Sequence, residues 1–136
     1  MLGLFKNKKK KTDTQPKILV VDDEQDLRLT VEYRLKFANC CVVTACNGQE
    51  GLEVAANEHP DLILLDTNMP VMDGHEMLAH LRSDPKLKDI PVIMVTAISS
   101  PEDIAAASSY SITDYVTKPF DFTELMHKVR SALDVE

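Results

Sequence analysis

Leu62-Ile63-Leu64-Leu65-Asp66-Thr67-Asn68-Met69-Pro70-Val71-Met72-Asp73-Gly74 runs from four large aliphatic residues into a carboxylate and then into a loop punctuated by Pro70 and Gly74. A short aliphatic run bounded by turn residues reads as a buried strand, and an acid at its end is held rigidly yet stays reachable. A second run, Ile18-Leu19-Val20-Val21, ends in Asp22-Asp23-Glu24. If both strands lie parallel in one sheet, their acids arrive at the same edge. Like charges crowded there call for a cation.

Three further strand-like runs follow at 41–46, 92–95 and, more weakly, 114–117. Helical segments separate them. Leu27, Val31 and Leu35 repeat every four residues, with Asp26 near the helix start, where the dipole favours an acid. Asn47-Gly48 opens a second segment, whose stripe of Leu52, Ala55 and Ala56 stops before Pro60. Gly74 to Arg82 forms a third, and Ser100-Pro101-Glu102-Asp103 supplies an N-cap, an N1 proline and early acids for a fourth. Asp121 to Leu133 closes the chain, with Phe122, Leu125, Val129 and Leu133 at helical spacing. Strands alternating with helices imply a parallel sheet covered on both faces, a five-stranded α/β sandwich.

A chain of 136 residues suffices for one domain with a proper core and is too short for two ordinary ones. No apolar stretch approaches the roughly 20 residues needed to cross a bilayer. The net charge of −7 is unevenly spread: residues 1–16 carry +4 and residues 17–136 carry −11. An acidic body argues against nucleic acid as a partner of the folded part. Cys40, Cys41 and Cys46 are odd in number and no secretory signal precedes them, which points to the cytoplasm and to small buried hydrophobes.

In an open parallel sheet, ligands bind outside the carboxyl ends of the strands, where the strand order reverses. Asp22, Asp23 and Asp66 fall there, and so do Thr96 after Ile93-Met94-Val95 and Lys118 after Tyr115-Val116-Thr117. Over about residues 17–134 the chain resembles the response-regulator receiver domains (CheY-like) of two-component signalling. The resemblance rests on Val20-Val21-Asp22-Asp23-Glu24, on Asp66 to Gly74, on Val95-Thr96-Ala97 and on Asp114-Tyr115-Val116-Thr117-Lys118-Pro119-Phe120. The spacings agree as well, with 43 residues from Asp23 to Asp66, 30 from Asp66 to Thr96 and 22 from Thr96 to Lys118.

That resemblance implies a flavodoxin-like (βα)5 doubly wound fold with strand order 2-1-3-4-5, residues 17–136 forming the receiver domain. It makes Asp66 the acceptor of a phosphoryl group from a sensor histidine kinase or a histidine phosphotransfer protein. It further implies Mg²⁺, or Mn²⁺ in its place, held directly by Asp23, Asp66 and the backbone carbonyl of Asn68, and partly through water by Asp22. Lys118, in a cis peptide with Pro119, would face Asp66 and the phosphoryl oxygens. Thr96 would bond the new phosphoryl group and Tyr115 would rotate inward, remodelling the face of the fourth helix, fifth strand and fifth helix for a downstream protein or a dimer. Taken alone, Thr96 reads as a strand-end cap and Tyr115 as a half-buried strand aromatic. The expectation is a signalling module with self-phosphorylating and self-dephosphorylating chemistry, standing alone because only Asp134-Val135-Glu136 follow the last helix.

Departures from the family pattern are local. Ser111-Ile112 stand where a Gly-Ala pair is usual, so a tighter or shifted turn into the fifth strand is expected. Asn68 and Ile98 occupy positions that tune phosphoryl lifetime in the family, and an apolar Ile98 cannot orient a water. His59, His75, His80 and His127 read as surface residues away from the rim, and Met69 and Met72 as packing for the loop. Met1-Leu2-Gly3-Leu4-Phe5 with five lysines among residues 6–11 reads as a disordered, solubilising leader. Adhesion of residues 1–11 to an anionic membrane surface is the other reading. A Mg²⁺-dependent aspartyl phosphatase is the alternative enzyme class, but its chemistry wants a second acid where Asn68 stands. A flavin mononucleotide carrier would need a Gly- and hydroxyl-rich loop in place of Asp22-Asp23-Glu24, which repel phosphate.

Overall fold

The computed structural model describes residues 15–97, 105 and 109–133. Five strands, β1 (Lys17–Val21), β2 (Cys41–Ala45), β3 (Leu62–Asp66), β4 (Val92–Thr96) and β5 (Asp114–Thr117), form one sheet in the order β2-β1-β3-β4-β5. Every neighbouring pair is parallel. Helices α1 (Gln25–Phe37), α2 (Gly48–Glu58) and α3 (Gly74–Ser83) and the C-terminal helix (Phe122–Ala132) cover the sheet. The helix expected from Ser100, along with Ile98 and the basic tail, lies outside the described residues. Among the described residues no helix is long and apolar enough to cross a membrane.

Strand alternation sorts the core into two layers. Leu19, Val21, Ile63, Leu65, Val92 and Met94 face Ala55 of α2 and Met77, Leu78 and Leu81 of α3. Ile18, Val20, Leu62, Leu64, Ile93, Val95 and Val116 face Val31 and Leu35 of α1 and Leu125 and Val129 of the C-terminal helix. The central strands β1, β3 and β4 are thus apolar on both faces, as a doubly covered parallel sheet requires. Each fully buried aliphatic side chain contributes roughly 1.5–3 kcal/mol.

The helix starts obey their local chemistry. Asn47, Asp73 and Asp121 act as N-caps, their side chains accepting the backbone N–H of Glu50, Glu76 and Thr123. The acid at the start of α1 is Asp26, as expected, although its N-cap Glu24 makes no side-chain capping bond. Cys46 is not the buried hydrophobe expected. Strand β2 stops at Ala45, and Cys46 is exposed, its N–H donating to Glu50 Oε1 at 2.8 Å. Cys40 is buried, as expected, and Cys41 only partly so.

The loop after β3 is pinned at both ends. Met72 N–H donates to the Pro70 carbonyl at 2.7 Å, closing a γ-turn in which Val71 takes a φ of 70°. A β-branched residue at positive φ is strained, and Val71 is 80% exposed, so its own contacts do not hold it there. Its neighbours do. Met69 and Met72 are buried in the core, and the Met72 carbonyl accepts the Gly48 N–H at 2.9 Å. Gly74 N–H donates to the Thr67 carbonyl at 3.0 Å, and a Cβ on Gly74 would overlap the backbone carbonyl of Asp66.

Gly74→Ala is therefore expected to destabilise the fold by about 1–3 kcal/mol in denaturant titrations, because the Asp66–Thr67 backbone must yield. Gly51→Ala is the control. There the added methyl meets chiefly the flexible end of Met77, with Val21 Cγ2 next at 3.2 Å, and stability should stay within about 1 kcal/mol of the parent.

Candidate functional site

Asp66 closes β3 and Asp22 follows β1, the two strands that flank the reversal of strand order. Both carboxylates are only 5% exposed, whereas Asp23 is open to solvent. One oxygen from each of Asp22, Asp23 and Asp66 lies within 4.8 Å of the others. A cation with bonds of about 2.0–2.1 Å holds opposite ligands about 4.2 Å apart, so small side-chain adjustments would let one hard divalent ion accept all three. Among the described residues no other group of acids, histidines or cysteines is gathered this way.

Lys118, just beyond β5, enters from the other side of the reversal, and its bond to Pro119 is cis. Its ammonium lies 3.0 Å from Asp22 Oδ2, 3.5 Å from Asp66 Oδ2 and 3.9 Å from Glu24 Oε1. The shorter contact is thus to Asp22, and the amine stands between the two buried acids. Asp22 is further fixed by the Glu24 N–H on its Oδ1 at 2.9 Å, while Arg28 Nη1 donates to its backbone carbonyl at 2.8 Å.

The electrostatics follow from this crowding. Burial, and next the neighbouring charge of Asp22, raise the Asp66 carboxyl from an ordinary 3.8 to about 6. The Lys118 ammonium and the Asn68 N–H, 3.4 Å from Asp66 Oδ1, pull the other way without prevailing. For Lys118, burial is the largest single influence and lowers its pKa. The hydrogen bond and charge of Asp22, with the charges of Asp66 and Glu24, outweigh it and leave the ammonium above its usual value. Negative charge is in excess, and the site suits a cation.

Asn68 is exposed on the loop beside Asp66. Thr96 ends β4 and is 4% exposed, and Thr67 Oγ1 donates to its Oγ1 at 2.8 Å. Tyr115 lies on edge strand β5, 37% exposed, with Lys128 Nζ 5.8 Å from its ring centroid. That ammonium also bonds the Tyr115 carbonyl at 2.8 Å and pairs with Asp114 and Glu124 at 3.5 Å. Tyr115 thus stands apart from the acids, and its ring reaches solvent.

Three features escaped the reading of the sequence. The first is the backbone of Ser111: a tighter or shifted turn was expected there, but not the left-handed φ of 62° that this residue takes. Arg82 of α3 donates to the carbonyls of Tyr110, Lys88, Ile90 and Ser111 at 2.7–3.2 Å, tying the chain ahead of β5 to that ahead of β4. Thr67 is the third, a hydroxyl directly after the buried acid. Its place in the alternation Ile63, Leu65, Thr67 was the available signal.

Residues 18–130 match a family model described as the response regulator receiver domain. A probable transcriptional regulator ycf27 of Cyanophora paradoxa is 43% identical over 117 residues, covering 86% of this chain and 48% of its own length. The transcriptional regulatory protein PrrA of Mycobacterium tuberculosis is 39% identical over 120 residues, covering 88% of this chain and 51% of its own. The chain spans about half the length of the curated relatives it matches. Among solved structures, the chemotaxis response regulator CheY4 of Vibrio cholerae superposes with a TM-score of 0.82 at 34% identity, covering 88% of this chain and 99% of that one. A CheY-like receiver domain protein from Methanospirillum hungatei superposes with a TM-score of 0.84 at 29% identity, covering 89% and 95%.

The raised carboxyl of Asp66 has a consequence for stability. Between about pH 4 and 6 the folded state holds a proton on Asp66 that the unfolded chain has lost, so stability falls as pH rises through this window. Asp66→Asn removes that fall. In metal-free buffer the variant should match the parent near pH 4 and exceed it above about pH 6, by at most about 3 kcal/mol, as read from chemical unfolding across pH.

Proposed function

The chain belongs to the response regulator receiver domain family, and we propose that it receives a phosphoryl group on Asp66 from the phosphohistidine of a sensor histidine kinase or histidine phosphotransfer protein. The observation that carries this reading is the buried Asp66 carboxylate, set beside Asp22 and Asp23 with the Lys118 ammonium 3.5 Å away. An Asp66 oxygen attacks phosphorus and the phosphorus–nitrogen bond to the donor imidazole breaks. The imidazole leaves with the bonding pair and takes up a proton. The transition state is loose and spreads charge over three oxygens, so the protein contributes position and neutralisation.

Asp22, Asp23, Asp66 and the Asn68 carbonyl would hold Mg²⁺ or Mn²⁺. When bound, such an ion supplies positive charge to the phosphoryl oxygens and offsets the repulsion that raises the Asp66 carboxyl. Lys118 supplies a compact, positively charged partner from the opposite side. Its nearness to Asp22 orders that ligand before any phosphoryl group arrives.

Phosphorylation acts as a switch in this reading. Thr96 moves its hydroxyl toward the new phosphoryl oxygens, Tyr115 turns inward from its half-exposed position, and the surface around β5 and the C-terminal helix changes shape for a downstream protein or a second receiver. The module is a signalling component whose chemistry is its own phosphorylation and dephosphorylation. The exposed amide of Asn68 occupies the place where a phosphatase of the aspartyl class would need its general acid.

Incubation with acetyl phosphate and Mg²⁺ should add the mass of one phosphoryl group to the intact chain, and chelation of the metal should prevent it. Asp66→Asn should gain nothing, and Lys118→Ala should react about a hundredfold more slowly. A parent that stays unmodified, or an Asp66→Asn variant that is labelled equally, would overturn the assignment.

A further inference from the structure

The Thr67–Thr96 hydroxyl pair is a buried hydrogen bond of 2.8 Å between the ends of β3 and β4, with both residues at most 9% exposed. Its direction matters. Asp66 follows Leu62 and Leu64 in the strand alternation and belongs with the layer under α1 and the C-terminal helix. Consistent with this, Asp66 lines one cavity together with Val20, Val31, Leu64, Val95 and Leu125. Thr96 follows Val92 and Met94, and Thr67 follows Ile63 and Leu65, so both sit in register with the layer under α2 and α3. The bond joins two side chains that stand on the opposite side of the sheet from the Asp66 carboxylate.

We propose that Thr67 is a positioning residue that holds the Thr96 hydroxyl away from Asp66 and so sets the equilibrium between resting and phosphoryl-bound forms. The inference rests on the phosphoacceptor reading of Asp66 and deepens it. For Thr96 to reach a phosphoryl oxygen on Asp66, its hydroxyl must turn away from Thr67 and give up this bond. A protein whose binding-competent form is only partly populated shows an affinity reduced by that fraction. Thr67 lowers the fraction by satisfying Thr96 in the resting position. With valine at 67 the shape of the side chain is kept and this hydrogen bond to Thr96 is lost, so the resting position of Thr96 becomes less favourable and the phosphoryl-facing one gains.

The test is a titration of the full chain with beryllofluoride in the presence of Mg²⁺, followed by ¹⁹F nuclear magnetic resonance of the bound fluoride. Thr67→Val should bind about two- to tenfold more tightly than the parent, the range spanned by one neutral hydrogen bond. Thr67→Ser keeps the hydroxyl and should match the parent. A role confined to stability would not raise affinity, and it would not be rescued by serine. Thr67→Ala carries the same expectation should the valine variant fail to fold. A variant without the hydroxyl that binds no more tightly than the parent, or a serine variant as tight as valine, overturns the role of Thr67. A parent that shows no Mg²⁺-dependent beryllofluoride binding instead overturns the phosphoacceptor reading itself.

Discussion

Two buried carboxylates, Asp22 and Asp66, share the carboxyl edge of the sheet with the Lys118 ammonium set between them, and the exposed Asp23 completes the cluster. This arrangement is unfavourable by itself: the raised carboxyl of Asp66 registers both the loss of water and the repulsion. What opposes it is the apolar burial of β1, β3 and β4 on both faces, which fixes the strand ends from which the acids project. The site stores a demand for positive charge, which a hard divalent ion would answer.

Much of this was legible in the chain. Aliphatic runs ending in acids placed Asp22, Asp23 and Asp66 on one edge because a parallel sheet leaves its strand ends together. Asn47, Asp73 and Asp121 announced their helices through side-chain capping, a local interaction that needs no tertiary contact. Cys46 was misread because strand periodicity continues through it, whereas Glu50 reaches back across one helical turn to claim its N–H. Arg82 and Lys128 carried no legible signal, and Thr67 only its place in the strand alternation. The contact of Thr67 and the longer-range contacts of Arg82 reach partners 28 to 29 residues away and depend on rotamers that only the folded packing selects.

The surroundings of β5 differ from those of the other strands. It is an edge strand, it is only four residues long, and its burial is the weakest in the sheet. Lys128 holds Tyr115 by its carbonyl and lies over its ring, while Arg82 holds the preceding turn through the carbonyls of Tyr110 and Ser111. Surface ion pairs of the Lys128 kind contribute little, commonly below about 1 kcal/mol, so the strand is held chiefly by its pairing with β4 and by the buried Val116. The carboxyl edge of β3 is instead closed by Gly74 and the γ-turn.

The hydrogen bond from Gly48 to the Met72 carbonyl joins the loop carrying Asp66 to a helix that contributes no acid to the cluster. The first amides of any helix lack intrahelical partners, and here one of them is satisfied by the site loop. Lifting that loop leaves the Gly48 N–H without its partner while the Asn47 cap on Glu50 stays in place, so this one amide reports on the loop. The exchange rate of the Gly48 amide proton with solvent then measures how often the neighbourhood of Asp66 opens, from a position that touches none of the reacting groups.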